Sequence, residues 1–239
     1  MYRGILCLLF LISLPKNQGN AQKNTLETPM VEYIADPLQQ RIVMFWKDEN
    51  GQLIRSLKNL KSYSERRKHP LLFAMNGGMY KTDISPLGLW IDEGKEIHAI
   101  NTASGKGNFY LKPNGVFLIT QDGKADVVAT SHYRSSKNIR FATQSGPMLV
   151  YQGVIHPEFK KGSSHVHIRN GVGILPNGKV LFAMTKTPVS LYDFATYFLR
   201  KGCKQALYLD GFVSRCYAPS QQWIQEDGNF GVMIGVEKK

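Results

Sequence analysis

The sequence predicts an α+β fold: a mixed, largely antiparallel β-sheet core with a few packed helices. Three features lead there. Short apolar stretches recur between turn signatures such as Asp92-Glu93-Gly94, Asp122-Gly123 and Pro176-Asn177-Gly178, which is the spacing of hairpins. Only two stretches carry a helical period with caps at their ends, one beginning at Ser56 and one at Ser190. The chain has 239 residues, is 43% hydrophobic, and shows no compositional break long enough for a linker, so one well-buried domain is expected. No self-similar period emerges, which argues against a solenoid or propeller.

At the N-terminus, Arg3 precedes an apolar run over 4–14, and a polar segment then ends in Gly19-Asn20-Ala21. That order of charge, apolar region and small-residue cleavage site is a secretory signal, giving a signal peptide over 1–21 and one domain over 22–239. A membrane anchor is the alternative reading, but the run is too short for a stable membrane span, and Cys7 falls too early in it for lipid attachment. The expected address is periplasmic or extracellular, as a soluble exported protein.

Strands are expected over 31–35 and 41–46, then an Asp48-Glu49-Asn50-Gly51 turn and a return strand. A surface helix over 56–69 places Leu57, Leu60 and Tyr63 on one face and stops before Pro70. The apolar strand 71–75 opens directly into Asn76-Gly77-Gly78-Met79-Tyr80, where two glycines free the backbone for close approach to a ligand or for positive φ. After a strand over 89–92, Pro113-Asn114-Gly115 reads as a further hairpin turn. Thr143-Gln144-Ser145-Gly146-Pro147 and Arg169-Asn170-Gly171-Val172-Gly173 read as glycine-bearing connections that precede strands 148–151 and 174–175. An amphipathic helix over 190–201 carries a Ser190–Asp193 capping box and stops at Gly202. Ala206-Leu207-Tyr208-Leu209 is then a buried strand ending in Asp210-Gly211, either an ordinary turn or a carboxylate placed for chemistry. The simplest reading is that these strand ends converge on one rim.

The formal charge of +12 is scattered, Arg66-Arg67-Lys68 being the longest basic run, and no nucleic-acid motif accompanies it. Nucleic acid is therefore not an expected partner, whereas anionic glycans, phosphoesters or a membrane surface are. Cys203 and Cys216 remain after signal cleavage and flank the Asp210 turn. In an oxidising compartment they are expected to pair, provided their Cα atoms lie within about 7 Å.

Read together, Asn76-Gly77-Gly78-Met79-Tyr80, Pro86-Leu87-Gly88-Leu89, the segment from Gly107 through Lys112-Pro113-Asn114-Gly115 to Phe117, Gln144-Ser145-Gly146-Pro147, Arg169-Asn170-Gly171-Val172-Gly173 and Leu209-Asp210-Gly211 resemble the phosphodiester glycosidase family. The resemblance covers nearly all of the mature chain, and six motifs in the family's order are more specific than any one. It implies a mixed α and β fold and hydrolysis of a sugar-1-phosphodiester to a free sugar and a phosphomonoester. It places Asn76, Ser145, Arg169 and Asp210 in the site, with Gly77, Gly146 and Gly211 shaping it. Asn170 and Ser214, beside these motifs, join the substrate-binding candidates. Many relatives carry three glycines and a serine after the acid; here Gly211-Phe212-Val213-Ser214 puts two bulky side chains on the rim.

Ordinary glycosidases use two carboxylates, and among the acids only Asp83 and Asp210 lie in glycine-bearing motif loops. A phosphodiester is a better leaving group than a sugar alkoxide, because its charge is already spread over oxygens, so one carboxylate with a phosphate clamp can suffice. Arg169 suits that clamp, with the amides of Gly77, Gly146 and Gly171 adding donors; its alternative is a surface ion pair. Asp210 acts as base on water or stabilises the oxocarbenium-like charge. His165 and His167 share a strand face with Arg169 if the segment is extended, and His167 is then either an acid-base or hydrogen-bonding group or a solvent-facing strand histidine. Two histidines without a third donor do not make a metal site, so no metal and no cofactor is expected. Ser145 lacks the glycine of a nucleophile elbow and reads as a hydrogen-bonding residue, and Asn76 either caps a turn or holds sugar hydroxyls. The rival function is a non-catalytic envelope module that binds anionic glycans or phosphoesters unchanged.

Sequencing the N-terminus of the protein purified from the envelope should find cleavage near Ala21. Retention of Met1 on a cytosolic product would overturn the export reading.

Overall fold

The computed structural model describes Met1, residues 29–210 and residues 212–239. The expected signal segment and its cleavage site lie outside the described residues, as does Gly211. In chain order, the strands begin with β1 (Met30–Ala35), β2 (Gln40–Phe45), β3 (Leu71–Asn76), β4 (Trp90–Asp92) and β5 (Lys95–His98). They continue with β6 (Gly115–Thr120), β7 (Ala125–Ala129), β8 (Ile139–Ser145), β9 (Met148–Tyr151) and β10 (Val154–Ile155). Then follow β11 (Asn170–Ile174), β12 (Val180–Thr185), β13 (Gln205–Asp210), β14 (Cys216–Ala218), β15 (Trp223–Ile224) and β16 (Met233–Lys238). Two α-helices accompany them, α1 (Leu57–Arg66) and α2 (Leu191–Arg200).

Three sheets result: β1-β12-β11-β13-β9-β10, β15-β14-β3-β16-β2 and β5-β4-β8-β6-β7. All pairings among these strands are antiparallel. The fold is thus the α+β arrangement of antiparallel sheets and two helices that the hairpin pattern predicts. Their shared core centres on Phe182 of β12, which stacks on Phe73 of β3 at 5.6 Å and meets Phe117 of β6 edge-on at 5.8 Å. One aromatic ring from each sheet therefore closes the same space. Along β12 the residues alternate: Val180, Phe182 and Met184 enter this core, while Leu181 and Ala183 face a second cluster under α2. The first sheet is consequently buried on both faces, which is why its strands read as continuous apolar runs.

Helix α2 starts as its sequence requires. Ser190 Oγ accepts from Asp193 N at 3.1 Å and donates to Asp193 Oδ2 at 2.7 Å, and Gly202, at φ +88°, ends the helix where a side chain would be strained. Phe194, Ala195 and Phe198 are fully buried against the sheet, each phenyl contributing roughly 1.5–3 kcal/mol. The helix sits this close because the strand beneath it carries glycine: a Cβ on Gly173 would lie 2.7 Å from Phe198 Cδ1 and 2.8 Å from Cys203 Sγ. The expected connection at Arg169-Asn170-Gly171-Val172-Gly173 is in this way corrected to a strand, β11, paired on both sides. Its glycines serve packing rather than a turn.

Helix α1 is capped by Ser56, whose Oγ accepts from Asn59 N at 3.2 Å, and it buries Leu57, Leu60 and Tyr63. Ser64 Oγ donates to the fully buried Glu237 at 3.2 Å, and Arg41 and Arg67 flank the same carboxylate at 3.5 and 3.6 Å. This ties α1, β2 and the last strand together. Two smaller expectations change. The return strand after Gly51 is only a bridge between Lys47 and Leu53. Pro113-Asn114-Gly115 is not a hairpin turn but the entry to β6, because Asn114 is buried and donates through Nδ2 to Phe109 O at 2.8 Å.

Cys203 and Cys216 do not pair; both are free and buried. Cys203 packs under α2 against the first sheet, whereas Cys216 lies on β14 of the second, beside Met75. Closeness along the chain does not bring them together, because the turn after Asp210 carries the chain from one sheet to the other. Burial pushes both thiols up to about 12. Among the described residues, no helix is long and apolar enough to cross a membrane.

Gly173→Ala should cost ~1–3 kcal/mol by overpacking, read as a lowered urea midpoint. Gly173→Ala/Cys203→Ala should recover part of that loss if Sγ supplies part of the clash.

Candidate active site

Three strand ends from two sheets meet here: Asn76 is the last residue of β3, Asn170 the first of β11 and Asp210 the last of β13. The Asn170 carboxamide joins them. Its Oδ1 accepts from Asp210 N at 2.8 Å, and its Nδ2 donates to Asn76 O at 2.8 Å and Asn76 Oδ1 at 3.1 Å. Asn76 in turn donates through Nδ2 to Asp210 Oδ2 at 3.2 Å and accepts from Arg215 N through Oδ1 at 2.8 Å. Asp210 Oδ1 accepts from Phe212 N at 3.0 Å. The Asp210 carboxylate is thereby held from both sides by neutral donors, and the residue keeps 8% of its surface exposed.

A β-bulge produces this aim. Asn170 pairs with Asp210, but Gly171 pairs with Tyr208, so Leu209 is the extra residue. On the other side of β13 the pairing with β9 ends at Leu207. The Leu209 carbonyl would otherwise lack a partner, and Ser145 Oγ donates to it at 2.8 Å. Ser145 is fully buried, so its expected place on the pocket rim is corrected: the hydroxyl satisfies the bulge. Ser214 is used in a similar way, its Oγ lying 2.9 Å from Asp210 O and 3.2 Å from Ile168 O, with its one hydrogen directed between these two carbonyls.

Arg169 is 2% exposed, and one hydrogen on each of its nitrogens is taken within the protein. Nε donates to Val189 O at 2.7 Å, Nη1 to Tyr208 OH at 2.9 Å and Nη2 to His165 O at 2.8 Å. Two N–H groups, one on each Nη, remain from its five donors. Tyr208 receives the guanidinium, and Asp210 follows two residues later, beyond the Leu209 bulge. Burial pushes the Tyr208 phenol up to about 12, with Arg169 opposing the rise and Asp210 adding to it. Asp210 likewise adds to a rise at Tyr80 that is caused first by burial.

Beside Arg169 lies a cleft of about 590 Å³, lined by Leu111, Glu158, Lys160, His165, His167 and Tyr192 as well as Arg169. His167 is exposed there, fixed through its backbone by reciprocal bonds with Val189 at 3.1 and 2.9 Å. His165, His167 and Glu158 all line this cleft, yet among the described residues no group of three or more His, Cys, Asp or Glu is placed to hold a metal. The expected glycine amides are not free for a ligand at two positions. Gly77 N donates to Val232 O at 2.7 Å, and Gly171 lies inside the ladder between β12 and β13. Gly146 packs against the turn before β6, where a Cβ would come 2.6 Å from Asn114 Cβ.

Tyr208 is the residue that sequence reasoning missed. Its position two before Asp210 in the same apolar run was the available sign that it lies near the acid.

A family model described as phosphodiester glycosidase matches residues 69–230. The chain is 38% identical over 208 residues to an uncharacterized protein of Escherichia coli K12, YigE, covering 87% of this chain and 81% of that one. Among solved structures it is similar to the zebrafish N-acetylglucosamine-1-phosphodiester alpha-N-acetylglucosaminidase catalytic domain, auto-inhibited by its pro-peptide. That likeness has a TM-score of 0.60 at 17% identity and covers 91% of this chain and 85% of that one. A hypothetical protein from Synechocystis is similar at TM-score 0.55 and 12% identity, over 88% of this chain and 59% of that one. At these identities the structural likeness establishes the fold.

Asn170→Ala should destabilise the chain by about 2–3 kcal/mol, since it strips partners from Asp210 N and from both oxygens of Asn76 in a buried setting. Thermal unfolding at fixed pH measures this.

Proposed function

The chain belongs to the phosphodiester glycosidase family, and on that premise we propose that it is an exported hydrolase that cleaves a sugar-1-phosphodiester to a free sugar and a phosphomonoester. The observation that carries the reading is a single carboxylate, Asp210, fixed by Asn76 Nδ2 and Phe212 N at a bulged strand end. It follows Tyr208, which takes a hydrogen from Arg169 at the edge of a cleft that Lys160, His165, His167 and Glu158 line. The pattern from Arg3 to Ala21 supports export, and the zebrafish enzyme's name supports a phosphodiester-linked sugar as the substrate class.

In this reading water attacks the anomeric carbon while the bond from that carbon to the phosphate oxygen breaks. The electron pair leaves with the phosphate, producing the monoester. The Asp210 carboxylate takes the proton from the attacking water and, before that, stabilises positive charge developing on the sugar ring. Asn76 and Asn170 position it and prevent its rotation. The two uncommitted N–H groups of Arg169 bind phosphate oxygens, and the internal bonds of that side chain keep the fork oriented without loss of rotamer freedom on binding. His167 hydrogen-bonds the substrate from the cleft rim. A charge-delocalised phosphate leaves without a strong general acid, so Asp210 suffices as the reacting carboxylate.

Asp210→Asn preserves shape and removes the charge, so turnover of the best sugar-1-phosphodiester should fall by ~10² or more with binding largely kept. Arg169→Lys should weaken binding and rate together, because a lysine cannot reproduce the fork. Circular dichroism checks that each variant is folded. A folded Asp210→Asn that releases sugar at the parental rate would disprove the assignment and favour a binding module.

A further inference from the structure

A separate cleft of about 600 Å³ lies between the turn after β2 and the hairpin closed by the Tyr80–Pro86 bridge. Lys47, Arg55, Lys81 and His98 line it, with Trp46 and one carboxylate, Asp83. Asp83 is already committed: its Oδ1 accepts from Ser85 N at 3.0 Å and from Ser85 Oγ at 2.6 Å. Among the described residues, Lys47, Arg55 and Lys81 form no ion pair with a carboxylate. Lys47 Nζ is instead held over the Trp46 ring, 4.2 Å from its centroid, and Arg55 gives one hydrogen to Asn229 Oδ1 at 2.9 Å. Three cations facing one carboxylate leave an excess of positive charge, and an anion bound among them offsets their mutual repulsion.

The backbone around this cleft is strained as well. Arg55 and Ile84 both sit at φ +68°, in the left-handed region, where a β-branched residue such as Ile84 is an outlier. Such conformations persist only where surrounding bonds over-determine them. Here Trp46 Nε1 donates to Ile84 O at 2.9 Å, and Phe230 N donates to Arg55 O at 2.6 Å. Such strain gathers at binding sites. Burial lowers the His98 pKa, and Lys81 and Lys47 lower it further against Asp83, so both lysines act on the same space.

The cleft is linked to the neighbourhood of Asp210 through Tyr80, whose phenol feels the Asp210 charge. Tyr80 OH donates to Asn229 O at 3.0 Å, and Asn229 Oδ1 receives Arg55. Lys81 follows Asn76 by five residues, so their Cα atoms are at most about 18 Å apart. We propose that the Lys47–Arg55–Lys81 cleft is an anion subsite, which takes a second phosphate or carboxylate carried on the aglycone side of the scissile phosphodiester. That ligand's identity rests on the hydrolase reading, whereas anion binding in the cleft does not.

Two measurements test it. Inorganic tripolyphosphate, titrated by calorimetry into the chain at low salt, should bind at least tenfold more weakly to Lys47→Gln/Lys81→Gln, both exposed positions, and to Arg55→Gln. Equal affinity in the lysine double variant, or no binding to the parent chain, would overturn the subsite. For hydrolysis, the same double variant should lose about tenfold in kcat/KM on a sugar-1-phosphodiester whose aglycone bears an extra phosphate. With a neutral aglycone it should match the parent. Equal losses on both substrates would overturn the aglycone assignment. Absence of hydrolysis by the parent would count against the hydrolase reading alone, leaving calorimetry to decide the anion site.

Discussion

The bonds of one carboxamide hold this structure's candidate site together. Asn170 begins β11, yet its side chain reaches the end of β13 through Asp210 N and the end of β3 through both oxygens of Asn76. Strands of two different sheets are thus fixed to one another at the point where each stops, and the only carboxylate in the network sits between them. Because the amide is fully buried, water cannot replace these partners, and each bond is worth more than it would be at the surface. Remove that bridge and Asp210 becomes an ordinary strand-end acid.

The burial that makes the bridge strong comes from the arrangement of layers. The first sheet is covered on one face by the other two sheets, meeting at Phe182, and on the other by α2. Glycines at 171 and 173 let the helix approach, and the same strand supplies Asn170 one position earlier. Packing of the helix and placement of the site are therefore settled by one short segment. The bulge at Leu209 adds the final turn of the backbone, with Ser145 satisfying the carbonyl that the bulge exposes.

Electrostatically, Tyr208 couples the two charged groups: it takes a hydrogen from Arg169, and burial raises its phenol to about 12, with Asp210 adding to the rise. An arginine already bonded to a carbonyl, a phenol and another carbonyl is rigid, and a rigid cation loses little entropy when it meets a phosphate. The family match over residues 69–230 places the chain among phosphodiester glycosidases, and a second cleft rich in cations lies beside the Tyr80–Pro86 bridge.

Much of this was legible in the linear sequence. Hairpin turns, two capped helices and the strand that runs into Asp210 are local features, written in residues a few positions apart, and local patterns are what propensity and periodicity record. Asn76, Asn170 and Asp210 stood out because each ends or begins an apolar stretch beside glycine. What the sequence could not carry was direction and partnership across the fold. Glycines 171 and 173 looked like a turn, since nothing nearby in sequence reveals a helix about to pack on them. Ser145 looked like a ligand group, because its true partner, a bulged carbonyl, is 64 residues away. Cys203 and Cys216 looked like a pair, although the chain changes sheets between them. The sequence by itself determined which elements form and which residues sit at their ends; tertiary structure decided what those residues touch, because burial and hydrogen-bond satisfaction are settled between strands that only the folded chain brings together.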